Sequence, residues 1–292
     1  MPSVSDSFQT LLKRVQPPPG EIAAANGHLA AIKTRIETCY TSKKFFTAGS
    51  FNRGTFIRGK SDVDAYAVLS LDEIRWGTGW KTSLTVLNDL RRELEGRFRY
   101  TAIRRDIHAI VLEFSDGKID VVPAAWGEFS KEYKRPIYFI PDGTGKWMKT
   151  SPELHNDYLI GRNDECGGKQ RATAQLIKFW RECRSPRISL SSFHIEMLLA
   201  CENICSGVKG YADWITDIFQ ILAERECVGM RDPFGICGNI PALKTEAQRS
   251  TALATIKHSR NHAKEAVAAN ARGNTAEALR QWDIVFHGKF PK

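Results

Sequence analysis

Two aspartates one residue apart, set at the head of a strand-like run behind a Gly-Ser turn, constrain this chain most. They lie in Gly49 to Leu69, GSFNRGTFIRGKSDVDAYAVL. The apolar run Phe45-Phe46-Thr47-Ala48 precedes the turn, and Ser61 to Leu69 (SDVDAYAVL) ends the stretch. That last run is rich in β-branched and aromatic residues and holds neither Pro nor Gly, which predicts a strand. Residues two apart in a strand share a face, so Asp62 and Asp64 present two carboxylates side by side. Like charges so placed are costly without a cation between them. Two hard oxygen ligands at this spacing suit Mg²⁺, which binds through one or two carboxylates plus substrate phosphates.

Gly54 to Ser61 (GTFIRGKS) matches the P-loop pattern G-x-x-x-x-G-K-[ST]. A P-loop needs a strand before it and a helix opening at its Lys-Ser. Here a short polar FNR precedes and a strand-like run follows, so the P-loop reading is rejected. Gly49-Ser50 is the better phosphate loop. Glycine lets backbone approach a phosphate, and Ser50 offers an N–H and a hydroxyl. A helix opening at Ser50 or Phe51 would turn its N-terminus to the anion. A third carboxylate is expected from a neighbouring strand. Ile107 to Phe114 and Lys118 to Pro123 flank an Asp116-Gly117 turn, a hairpin signal. Asp120 lies in the second of these strands and can complete a triad with Asp62 and Asp64.

The Gly-Ser turn, the D-V-D twelve residues after its serine and the hairpin aspartate of IDVVPA resemble the polymerase-β-like nucleotidyltransferase superfamily. Within it, GSFNRGTFIRGKSDVDAYAVL and KIDVVPAA resemble the cGAS/DncV-like nucleotidyltransferases (CD-NTases) of CBASS anti-phage defence. The resemblance covers roughly Phe45 to Glu202 by motif and the rest more loosely. It implies an α+β fold: a polymerase-β-like core of mixed sheet with helices, and a C-terminal helical lobe, with the active site in the cleft between two lobes. It implies a synthase that joins nucleoside triphosphates into a cyclic di- or trinucleotide second messenger, releasing pyrophosphate with two Mg²⁺ ions, for which Mn²⁺ can substitute. Asp62 and Asp64 would bridge the ions, and Asp120 would bind the one facing the acceptor sugar.

The resemblance reaches further residues. QLIKFWREC is similar to the family's helix whose lysine meets the triphosphate, which maps to Lys178; read alone, Lys178 is an exposed helix cation. SLSSFHIE is similar to an S-S-Y-H element: Ser192 would bond the triphosphate and Phe193 stack on the base. Phe in place of Tyr keeps stacking and loses a phenol hydrogen bond; core packing is the plainer reading. Trp147 to His155 is similar to the segment near the base pocket. There Ser151 leaves room for a purine, although Ser151-Pro152-Glu153 also reads as a helix N-cap. Asp232-Pro233-Phe234-Gly235 breaks the helical pattern, in a loop that the resemblance places near the nucleotide.

Along the chain, Leu11, Leu12 and Val15 suit a short amphipathic helix. Glu21 to Tyr40 and Leu84 to Phe98 read as longer ones, with apolar residues three and four apart. Trp76 to Trp80 reads as a loop whose tryptophans stack on a base or cover a core edge. Asn163 to Gly168 marks a boundary: residues 1–165 form the catalytic core with its bracing helix and 166–292 a helical lobe. Helices are expected over Gln170 to Cys183, Ser192 to Cys205, Trp214 to Cys227, Lys244 to Asn270 and Asn274 to Phe286. Lys and Arg number 42 against 33 Asp and Glu, which suits polyanions, whether nucleic acid or triphosphates. No apolar run approaches the ~20 residues of a membrane span. The N-terminus lacks a signal-peptide core, and the seven cysteines form no C-x-x-C pair, so a cytoplasmic protein with reduced thiols and no membrane partner is expected. Nothing reads as an extended heptad seam, which favours a monomer. Cys201 and Cys205 read as buried thiols, and His258 and His262 as a solvated pair. The activator, whether a regulatory protein or a nucleic acid, is left open; a downstream effector is reached through the cyclic product. The competing readings are a linear oligoadenylate or poly(A)-type polymerase, a nucleotidyltransferase acting on a macromolecule or antibiotic, and a non-enzymatic binder.

Overall fold

The computed structural model describes residues 1–60 and 62–292. Ser61, last in the P-loop-like match and first in the expected strand run, lies outside the described residues. The chain begins with α1 (Val4–Val15), α2 (Pro19–Cys39), β1 (Ser42–Ala48), α3 (Gly49–Asn52), β2 (Val63–Leu69) and α4 (Leu71–Ile74). Then come β3 (Arg75–Trp76), β4 (Gly79–Trp80), α5 (Ser83–Arg97), β5 (Ala102–Arg105), β6 (Ile110–Phe114), β7 (Gly117–Ser130), β8 (Arg135–Pro141) and β9 (Trp147–Thr150). It ends with α6 (Pro152–Glu165), α7 (Lys169–Glu182), α8 (Ser192–Cys201), α9 (Tyr211–Glu224), β10 (Met230–Arg231), β11 (Asn239–Ile240), α10 (Glu246–Ala271) and α11 (Thr275–Val285). None of these helices is long and apolar enough to cross a membrane.

Two compact units emerge. Pro17–Tyr158 and Phe234–Cys237 form a sheet unit; Met1–Gln16, Leu159–Pro233 and Gly238–Lys292 form a helical unit. A single boundary after residue 165 therefore does not describe them. The N-terminal helix belongs to the helical unit because Phe8, 1% exposed, sets its ring within 4.9 Å of both Trp282 and Phe290. Leu11, Leu12 and Val15 are buried with it, as the amphipathic pattern requires.

The sheet unit holds a seven-stranded mixed sheet in the order β1-β2-β7-β6-β5, with β8 paired to β7 and β9 to β8. The D-V-D strand and the hairpin strand run parallel, from Val63 opposite Ile119 to Leu69 opposite Ala125. β7 is longer than the hairpin signal implies, because it runs on through Pro123 to Ser130. Proline cannot donate to a ladder and is normally kept from sheet interiors. Here β6 leaves β7 at Val121 and β8 joins it at Ala125. Pro123 falls between the two partners, where its missing N–H matters least.

Alternation sorts the faces. Ala65, Ala67, Leu69, Ile119 and Val121 meet Leu29, Ile32 and Ile36 of α2 and Leu87, Leu90 and Leu94 of α5. Each such leucine contributes roughly 1.5–3 kcal/mol by leaving water. The other face, Val68, Val122 and Ala124, packs on Tyr138 and Ile140, with Phe46 and Tyr66 against them. Asp64 and Asp120 belong to this second face by parity, at its open end.

Three expectations shift. The strand expected from Ile107 starts at Ile110, because the Asp106 carboxylate accepts from Ile107 N (2.8 Å) and Asp106 N donates to the Ala109 carbonyl (2.8 Å), making a turn. Trp76 to Trp80 is a small hairpin rather than a loop, with Gly77 at φ +61° in its turn. The helix from Ser192 ends at Cys201, and Asn203 adopts φ +51° just beyond.

Candidate active site

Three adjoining strands bring the expected loop and two of the aspartates together. Asp64 on β2 stands opposite Ala48 at the end of β1 and opposite Asp120 on β7. Neighbouring strands lie about 4.8 Å apart, so the two carboxylates are side-by-side neighbours. Gly49 follows Ala48 at once, with φ +63°, and a Cβ there would fall 1.9 Å from Asp64 Oδ2. No other residue type fits that approach. Ser50 is buried beside it in the single turn of α3. Asp62, exposed, directly precedes β2.

The electrostatics match this crowding. The Asp120 carboxyl is pushed up to about 7, first by burial and then by the charges of Asp64, Asp62 and Asp106, against a smaller pull from Arg104. Asp120 Oδ1 is buried and has no hydrogen-bond partner among the described residues. An orphaned acceptor among several carboxylates is what a bound dication would satisfy, so the residues fit Mg²⁺. Tyr66, two residues beyond Asp64 on the same face, has its phenol pushed up by burial and by the Asp64 carboxylate, with Arg53 pulling the other way.

Sequence reasoning missed four residues, three in the sheet unit and one in the helical unit. Asp106 and Arg104 sit at the end of β5, where Arg104 lies 3.1 Å from Glu113 and 4.0 Å from Asp106. Arg53, buried, donates to Asn156 Oδ1 at 2.6 Å. Its place three residues after Ser50 was the available signal. Glu196 of α8 is the fourth, and it carries no sequence signal.

The remaining expected residues fall in different places. Ser151 is fully buried and its hydroxyl donates to the Pro136 carbonyl at 2.7 Å. Its own carbonyl accepts from His155 N at 3.2 Å, so it opens α6 through its backbone while its side chain ties α6 to β8. The loop residue Phe234 stands edge-on to Tyr133, His155 and Tyr158 in the sheet unit. Lys178, Ser192 and Phe193 belong to the helical unit. Lys178 is not an exposed helix cation: it is 1% exposed and donates to Glu196 Oε1 at 2.6 Å. Ser192 and Phe193 are half-buried in the first turn of α8, which Ser191 caps by accepting from His194 N.

Comparison with known proteins agrees with this geometry. Residues 1–163 match the family described as the Second Messenger Oligonucleotide or Dinucleotide Synthetase domain, SMODS. A probable cyclic nucleotide synthase of Bacillus cereus is 26% identical over 281 residues, covering 86% of this chain and 83% of that protein. A cyclic AMP-AMP-AMP synthase of Escherichia coli is 23% identical over 212 residues, covering 70% of this chain and 63% of that protein. The fold superposes on E. coli MS115-1 CdnC, solved with a HORMA protein and with ATP, with a TM-score of 0.75 at 18% identity over 99% of each chain.

Proposed function

The chain belongs to the SMODS family of cGAS/DncV-like nucleotidyltransferases, and on that premise we propose that it joins nucleoside triphosphates into a cyclic di- or trinucleotide messenger. The observation that carries the reading is the register of Asp64 with Asp120 beside the Gly49 backbone. Nothing about packing requires two carboxylates there, and burial makes them costly.

Asp62, Asp64 and Asp120 hold the divalent ions in this proposal. When bound, such ions neutralise phosphate charge and favour ionisation of the attacking hydroxyl. Gly49 lets the backbone lie against the site, and Ser50 gives its N–H and hydroxyl to phosphate oxygens. Asp120 accepts the proton of the sugar hydroxyl as its oxygen attacks the α-phosphate and the bond to the leaving pyrophosphate breaks. Ser192 bonds the triphosphate tail and Phe193 stacks on a base, while Lys178, buried against Glu196 at 2.6 Å, ties α7 to α8 rather than meeting phosphate. Ser151 is given a different part from the expected one. With its hydroxyl held by Pro136, it fixes the start of α6 rather than reading the base. The E. coli relative named for a cyclic adenine trinucleotide supports purine substrates. The complex of CdnC with a HORMA protein supports a partner protein for this chain as well.

The test is incubation with the four nucleoside triphosphates and Mg²⁺ or Mn²⁺, then phosphatase treatment and mass spectrometry. A phosphatase-resistant cyclic product is expected. A phosphatase-sensitive linear ladder would replace this reading with a polymerase.

A further inference from the structure

Nucleotidyl transfer leaves a converging pair of histidines in the helical unit unused. His258 and His262 lie one turn apart on α10, His258 exposed and His262 half-buried. Such a pair is expected to splay into water. Instead the Nε2 atoms are 3.1 Å apart, with ring centroids at 4.4 Å and planes inclined by 62°.

The far side of His262 is fixed. Its Nδ1 lies 2.6 Å from Gln281 Oε1 on α11. The Gln281 amide is itself oriented, because its Nε2 donates to Glu277 Oε1 at 2.6 Å. Glu277 is held in turn by Arg280 at 2.7 Å. Gln281 therefore offers His262 only a carbonyl oxygen, and a neutral His262 carries its proton on Nδ1. Its Nε2 keeps a lone pair, turned towards His258.

Two imidazole nitrogens 3.1 Å apart, with the far N–H of one bonded to an oriented oxygen, have the spacing and outer support of a transition-metal site. Zn–N bonds of about 2.0–2.1 Å at tetrahedral angles place two nitrogens roughly 3.3 Å apart, close to the separation here. The Arg184 guanidinium is engaged by the carbonyls of Trp180 and Val285 and by the Ser259 hydroxyl.

We propose that His258 and His262 form a two-nitrogen binding site for a transition-metal dication of the Zn²⁺, Ni²⁺ and Cu²⁺ class. Gln281 and Glu277 are positioning residues, and water fills the remaining coordination positions. Because Gln281 stands on α11, an ion at this site braces α10 against α11. The site is independent of the carboxylates of the sheet unit and does not rest on the reading of their chemistry.

The experiment is calorimetric titration of the untagged full chain with NiCl₂ at neutral pH. It is repeated on His258→Ala, His262→Ala, Gln281→Met and Asp62→Asn/Asp64→Asn chains whose folding is checked by circular dichroism. One equivalent of Ni²⁺ is expected in the double-Asn chain, and the same equivalent in the parent beside whatever the carboxylates of the sheet unit take. It is lost in both histidine variants and bound about 10-fold more weakly in Gln281→Met. Cu²⁺ bound by the parent should show electron-paramagnetic hyperfine structure from two nitrogens, a signature thiols do not give. Undiminished Ni²⁺ binding in His258→Ala and His262→Ala, or no equivalent surviving in the double-Asn chain, would overturn the proposal.

Discussion

In the helical unit, Lys178 and Glu196 are almost fully buried and answer one another at 2.6 Å. In the sheet unit, Asp64 and Asp120 stand side by side and an Asp120 oxygen has no hydrogen-bond partner among the described residues. The first arrangement is complete as folded. The second is completed by something that arrives. Removing one charge from a satisfied pair strands the other, whereas removing one from a crowd of like charges relieves it. The units should therefore respond in opposite senses to the same kind of substitution.

The largest effect tests that contrast on activity. Asp62→Asn or Asp64→Asn should lower product formation by on the order of 10⁴-fold, while the metal-free protein melts no lower than the parent; normal yield would remove these residues from the chemistry. Next comes Glu196→Gln, which leaves Lys178 buried without its carboxylate and should cost about 3–5 kcal/mol in denaturant unfolding. The apolar pair Lys178→Met/Glu196→Leu should recover much of that loss, and its failure to do so would mean that the ion pair does more than satisfy itself. Gly49→Ala should cost about 1–3 kcal/mol in backbone strain. It should also suppress synthesis, since its Cβ meets Asp64 Oδ2.

A subtler test uses pH. The folded-state pKa of Asp120 lies above that of an unfolded aspartate, so the folded chain binds the extra proton. This stabilisation is fully present below about pH 4 and is lost as pH rises through about 7. Metal-free protein should accordingly melt lower as pH rises across that window, and Mg²⁺ should restore the melting temperature at its upper end. Asp120→Asn should flatten the profile; an unchanged slope would show that the carboxyl is not perturbed. The smallest effect belongs to Ser151→Ala, about 1 kcal/mol from one buried hydrogen bond with no change in base preference. A changed base preference would return Ser151 to the base pocket.

Much of this was legible because it is local. The D-V-D strand, the Gly-Ser turn before it and the Asp116-Gly117 hairpin each announce themselves within a few residues, and the helices follow from apolar spacing. Partnership across long separations was not legible. Glu196 has no pattern that marks it as the partner of Lys178, so a buried lysine read as a surface one. Pro123 seemed to end a strand, because only the handover from β6 to β8 makes room for it. His258 and His262 looked solvated because Gln281, which turns one of their rings, lies on another helix. Ser151 was read for its size and helix-start position, while its hydroxyl had a partner on β8.

The parallel pairing of β2 with β7 has a consequence in time as well as space. The β6–β7 hairpin closes a short loop and can form early. Setting Asp64 against Asp120 closes a long one, and such contacts form slowly. A nascent or partly unfolded chain can thus hold every residue of the site and still lack the site. Synthesis is therefore withheld until this long-range pairing is made, and an unfinished molecule stays silent.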